Sequence, residues 1–114
     1  PAHSSLMRPA GETLAASIEE TAFAEPEVTV ISSVDGTPYK DASDVRERIK
    51  AQVYSPVRWV DTIGYISAND ITSIIECGPG KVLTGLLRRI DRSLDAVCLD
   101  TPDSIRSVTR GAEE

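Results

Sequence analysis

The chain has 114 residues, 40% apolar and 26% charged, and a net charge of −6 at pH 7. That is enough for one domain with one core, and it excludes wholesale disorder. An acidic surface disfavours nucleic acid and anionic membrane as main partners, since both need a basic face, but an acidic protein could still be met through a local basic patch.

Leu6, Ala10, Leu14, Ile18 and Ala22 recur at helical spacing, with Ala15 beside them, and predict a helix running to about Phe23. Pro9 is tolerated only in a first turn, so the helix begins near Ser5 to Arg8. Glu25-Pro26-Glu27 breaks it. The β-branched run Val28-Thr29-Val30-Ile31 reads as a buried strand, ended by Asp35-Gly36 and Pro38. Asp41 or Ser43 can cap a second helix with Val45, Ile49 and Val53 inward. Ser55-Pro56 reads as the start of a third, lined by Trp59, Ile63 and Ile66. Ile71 to Cys77 is a second strand. Gly78-Pro79-Gly80 turns it into a helix with Val82, Leu83, Leu86, Leu87 and Ile90 inward. Ala96 to Leu99 is a third strand, and Thr101-Pro102 opens a last helix that fades at Gly111.

Apolar strands alternating with helices predict an α/β fold, a parallel sheet with helices on both faces. A sheet of three strands leaves two unpaired edges, which points to further strands outside this sequence. No apolar run approaches the ~20 residues of a membrane span. No signal peptide is visible, and Cys77 and Cys98 read as core thiols of a reducing compartment, so the expected location is cytoplasmic. Their spacing fits no zinc pattern and the chain has one His, so no metal site is expected.

Serine acyl transfer on an α/β sheet needs a nucleophile in a Gly-x-Ser-x-Gly turn, and none occurs here. Cys77 before Gly78 is a faint version of such a turn, but Ile75 stands where the first Gly belongs. Gly80-Lys81 lacks the rest of a phosphate loop, with Ile75 and Val82 at the deciding positions. Gly78 to Gly80 has two readings: a tight turn that closes a strand–helix joint, or a helix N-terminus open to an anion. His3 likewise has two: an exposed terminal side chain, or a general base for a hydroxyl supplied from elsewhere.

Four segments together resemble malonyl-CoA:acyl carrier protein transacylases. Pro1-Ala2-His3-Ser4 with Leu6-Met7 is similar to their Val-Pro-x-His-Ser-x-Leu-Met run. Ser33-Val34-Asp35-Gly36 is similar to their Asn-Val-Asp turn, with Ser33 in place of Asn. Gln52 to Trp59 resembles Gln-x-Tyr-x-Pro-Val-x-Trp. Glu76 to Leu86 resembles Glu-x-Gly-Pro-Gly-x-Val-Leu-x-Gly-Leu, with Cys77 where an aliphatic residue is common. The matches keep family order over roughly residues 1 to 90.

The resemblance implies that residues 1–114 are the C-terminal part of an α/β-hydrolase-like acyltransferase large subdomain. The nucleophile-bearing N-terminal part and the ferredoxin-like subdomain are then absent. It implies transfer of malonyl from CoA, through a serine ester, to the phosphopantetheine thiol of acyl carrier protein in fatty acid biosynthesis. His3 resembles the catalytic base, Gln52 the residue whose main-chain carbonyl orients it, and Val82 a residue lining the acyl pocket. The implied partners are acyl carrier protein, malonyl-CoA and the absent N-terminal part, with no cofactor of the enzyme's own, and the isolated chain is expected to be inactive. Two other readings stay open: an acyltransferase domain of a polyketide or multidomain fatty acid synthase, and a non-catalytic partner of a separate N-terminal half.

Overall fold

The computed structural model describes residues 2–111; Pro1, which opens the first of the family-like runs, and residues 112–114 lie outside the described residues. The chain forms two compact units, Pro1–Tyr65 and Ile66–Glu114.

In the first unit a 3₁₀ turn, Ser5–Met7, leads into α1 (Arg8–Glu20), with Pro9 in the first helical turn. The helix stops short of Phe23 because Thr21 turns extended, its N–H spent on the Ile18 carbonyl and its hydroxyl on that of Ser17. Of the expected apolar stripe only Ile18 is buried; Leu6 and Leu14 are exposed. Gly11 is the other buried position on α1.

Helix α2 (Ala42–Gln52) is capped by Asp41, whose side chain accepts the Asp44 N–H at 2.8 Å. An N-cap oxygen of this kind satisfies one of the amides that every helix start leaves without a partner. α1 packs on α2, and Lys50 of α2 pairs with Glu19 of α1.

Val28 to Ile31 departs from expectation: it forms no strand. Ile31 makes one antiparallel bridge with Pro38, flanked by bonds from Ser32 N–H to the Thr37 carbonyl (2.8 Å) and from Tyr39 N–H to the Val30 carbonyl (2.9 Å). The segment has folded back on its own turn instead of joining a sheet. Pro38 has no N–H to extend the ladder, and Val28 and Val30 stay exposed. Arg48 of α2 holds that turn, donating to Asp35, to Thr37 and to the Pro38 carbonyl as well as to Asp44.

The third helix also starts later than Ser55-Pro56 suggests. The Arg58 N–H bonds to the Ser33 carbonyl at 2.8 Å, residues 56–58 lie outside any helix, and α3 spans Trp59–Ala68. Its Ile63 is fully buried.

In the second unit β1 (Ser73–Cys77) pairs in parallel with β2 (Asp95–Leu99), Ile75 opposite Val97. The crossover is α4 (Val82–Ile90), and both α4 and α5 (Pro102–Gly111) pack against β2. Thr101 and Ser104 cap α5 reciprocally, each hydroxyl accepting the other's N–H at 3.1 Å. Among the described residues the sheet has two strands rather than three, because Val28–Ile31 is not one of them. Buried here are Leu87, Leu94, Cys98, Thr84 and Glu76. Cys77 is exposed, contrary to its reading as a core thiol: side chains alternate along β1, and burying Glu76 turns Cys77 outward. On α4 only Leu87 of the five expected inward residues is buried; Val82, Leu83, Leu86 and Ile90 are exposed.

That contrast is measurable. Leu87→Ala should cost about 2–5 kcal/mol, the range for emptying a packed leucine site. Val82→Ala, 69% exposed in the native chain, should stay within about 0.5 kcal/mol. Urea midpoints at unchanged slope read both.

Candidate functional site

Helix α2 ends at Gln52, and its last carbonyls have no helical N–H to receive. His3 supplies two donors from outside. Its backbone N–H bonds to the Val53 carbonyl at 3.0 Å, and its ring Nδ1 lies 2.9 Å from the Gln52 carbonyl. A carbonyl only accepts, so in the neutral ring Nδ1 carries the proton and Nε2 is left with a free lone pair. His3 has φ 62°, the left-handed region that costs a side-chain-bearing residue energy and that clusters at functional sites. The residue is exposed, yet pinned at one ring atom and one backbone atom. Ala2, His3, Leu14, Ile49, Gln52 and Val53 line a concavity of about 300 Å³ beside it. It is mostly apolar, with the imidazole as its basic group.

The joint between β1 and α4 is built by Glu76. Gly78 and Gly80 take φ of 140° and 86°, which lets the chain reverse and brings the start of α4 back over the strand. The Glu76 carboxylate, 9% exposed as a residue, accepts the N–H groups of Leu83 and Thr84 (2.9 and 2.8 Å) and the Thr84 hydroxyl (2.6 Å). The turn closes a strand–helix joint, and the anion at this helix N-terminus is the chain's own. The Thr84 hydroxyl bond first, then the amide bonds, hold the Glu76 carboxyl below the usual glutamate range. The Cys98 thiol donates to the Gly80 carbonyl at 2.8 Å and closes the turn from β2.

Val82 opens α4 and is exposed. It lies in the second unit, His3 and Gln52 in the first. At the other end of α4, Arg88, Arg89 and Arg92 line a wider hollow of about 610 Å³ with Leu94 and Asp95. This basic cluster on an acidic chain was not singled out from the sequence; the Arg88-Arg89 pair followed by Arg92 was the available signal. Among the described residues no group of His, Cys, Asp and Glu is arranged to hold a metal ion, and no helix is long and apolar enough to cross a membrane.

No family model matches the chain. Individual relatives do. The malonyl CoA-acyl carrier protein transacylase of Salmonella typhimurium is 38% identical over 92% of this chain, which spans 34% of that protein. The crystal structure of a malonyl-CoA:acyl carrier protein transacylase from Xanthomonas oryzae superposes with a TM-score of 0.90 at 36% identity, over 97% of this chain and 35% of that one. By sequence and by fold the chain is similar to malonyl-CoA:acyl carrier protein transacylases, and it spans about a third of their length. A further transacylase, solved in complex with a type II polyketide acyl-carrier protein, gives a TM-score of 0.87 at 36% identity, over 96% of this chain and 36% of that one. The α/β class and the parallel pairing expected from the sequence agree with these transacylase structures. A C-terminal portion of their larger domain is consistent with the match.

The Glu76 joint has a pH signature. A carboxyl held below its ordinary value of 4.5 stabilises the fold above that value, and the contribution fades as pH falls through the lowered one. Melting temperature should therefore drop on acidification below about pH 4.5, and Glu76→Gln should flatten that part of the profile. An unchanged slope in the variant would remove Glu76 as its source.

Proposed function

We propose that this chain carries the general base of a transacylase that moves malonyl from coenzyme A to the phosphopantetheine thiol of an acyl carrier protein. The observation that supports it is the His3 ring held by the Gln52 carbonyl at 2.9 Å, which leaves Nε2 unprotonated in the neutral ring. In this reading the Gln52 main chain replaces the carboxylate of a serine–histidine–aspartate triad, fixing tautomer and direction. A serine from an N-terminal part outside this sequence supplies the nucleophile. Nε2 takes the serine proton as the oxygen attacks the thioester carbonyl; the carbon–sulfur bond breaks and the coenzyme A thiol leaves with that proton. The carrier thiol then gives its proton to Nε2 as its sulfur attacks the ester carbonyl; the carbon–oxygen bond breaks, the serine oxygen leaves with that proton, and malonyl remains as the carrier's thioester.

Val82 lines the acyl pocket in this scheme, and the malonyl carboxylate is met by an arginine from the same outside part. Arg88, Arg89 and Arg92 form the local basic patch that an acidic carrier requires. Phosphopantetheine arrives on the carrier, so the enzyme needs no cofactor of its own. The proposed setting is fatty acid biosynthesis in the cytoplasm. A polyketide carrier is the second reading, favoured by the transacylase solved with one.

The isolated chain, mixed with malonyl-CoA and carrier protein, should form no serine ester; a stoichiometric ester on it would overturn the proposal. In the longer protein His3→Ala should lower kcat by orders of magnitude, and undiminished turnover would overturn the base assignment. Reversing charge at Arg88 and Arg89 should slow malonyl transfer to the carrier about tenfold at low salt. Acylation by malonyl-CoA should be spared, and equal slowing of both halves would argue against carrier docking there.

A further inference from the structure

Two carbonyls hold His3, one from the last residue of α2 and one from the residue that caps it. The next residue reaches α1. Tyr54 donates its N–H to the Ala51 carbonyl at 3.2 Å and lays its ring on α1. There the ring meets Gly11 so closely that a Cβ at position 11 would stand 2.6 Å from Cδ1 and 2.9 Å from Cε1. The guanidinium of Arg8, one turn earlier on α1, covers the ring with its Cζ 4.7 Å from the centroid. His3 sits just ahead of α1, joined to it by the 3₁₀ turn. A closed circuit results: α1 grips Tyr54, residues 52 and 53 grip His3, and His3 leads back into α1.

We infer that Tyr54, seated on Gly11, is a positioning residue for His3. It holds the Gln52 and Val53 carbonyls where the ring and the backbone N–H of His3 meet them. The inference rests on the reading of His3 as base for its consequence in turnover, not for its geometry. Without the ring, or with a methyl group pushing it off Gly11, the end of α2 is free to turn. The left-handed backbone of His3, at φ 62°, then has nothing to hold it and relaxes. A ring displaced by about 1 Å costs on the order of 10²-fold in rate.

The chain has one histidine, so its imidazole nitrogen signals are unambiguous by ¹⁵N NMR. At about pH 8.5, where an ordinary histidine is neutral, the wild-type ring should show the Nδ1–H tautomer. A free imidazole prefers Nε2–H. Tyr54→Ala and Gly11→Ala should both move the ring to mainly Nε2–H, while Tyr54→Phe, which keeps the ring surface, should retain Nδ1–H. In the longer protein the first two should lower kcat about 10²-fold with KM little changed. Retention of Nδ1–H in a folded Tyr54→Ala variant would overturn the inference. Should that variant unfold, Gly11→Ala decides by the same criterion, since it removes no buried aromatic surface. The tautomer is read without turnover, so a failed His3→Ala assay would remove the base assignment and leave the positioning intact.

Discussion

A helix cannot satisfy its own ends. Four N–H groups at the start and four carbonyls at the finish must find partners elsewhere, and both sites of this chain are answers to that constraint. At the end of α2 the Gln52 and Val53 carbonyls receive donors from His3. At the start of α4 the Leu83 and Thr84 amides receive acceptors from Glu76. In each case a residue outside the helix is brought to its end by need of the backbone, and its geometry is fixed as a consequence. His3 has its ring aimed and its tautomer selected by the same bond that satisfies the helix.

The two joints differ in what they leave over. Glu76 spends both carboxylate oxygens on the helix it closes, is nearly buried, and keeps its charge because three donors face it. Its hydrogen bonds are spent within the joint. His3 spends one ring nitrogen and keeps the other, beside an apolar concavity. A fully satisfied polar group is a structural part; a half-satisfied one with a basic atom to spare can do chemistry. That difference separates the anion-site reading of the Gly78–Gly80 turn, which the chain's own carboxylate fills, from the general-base reading of His3.

The elements with strong punctuation were legible in the sequence. Thr101-Pro102, Asp41 and Gly78-Pro79-Gly80 each carry their mechanism in their residue types, a hydroxyl or carboxylate cap, a ring that pre-sets φ, a glycine free to take positive φ, and the structure uses all three as read. Hydrophobic pattern did worse. Val28–Ile31 is β-branched enough for a strand, yet Pro38 and the turn at Asp35-Gly36 claim its backbone for a local bridge. Ser55-Pro56 has the residues of a helix start, yet Arg58 gives its N–H to a tertiary bond with Ser33 and the helix waits until Trp59. On α4 the stripe is a true helical stripe, but most of it stays exposed, because a pattern states which face wants burial and not whether this stretch of chain contains the surface to cover it. A chain matching a third of its relatives' length, with an apolar stripe uncovered and, among the described residues, a parallel pair of two strands, is consistent with a portion of a larger domain.

The site poses a different problem of legibility. Gln52 contributes a carbonyl, which every residue type has, so nothing in its side chain announces the role. The constraint on such a position moves to whatever orients the backbone. Here that is a tyrosine ring and the missing side chain of a glycine, on elements separated by more than forty residues of sequence. Neither Tyr54 nor Gly11 is reactive, and each alone reads as ordinary packing. Their contact becomes meaningful only when the carbonyls on one side of Tyr54 are seen to hold the one histidine of the chain. The substitutions that matter most to such a base therefore lie beside the residue with the carbonyl rather than at it: a changed side chain at Gln52 leaves its acceptor in place, whereas a single methyl group at Gly11 turns the acceptor away.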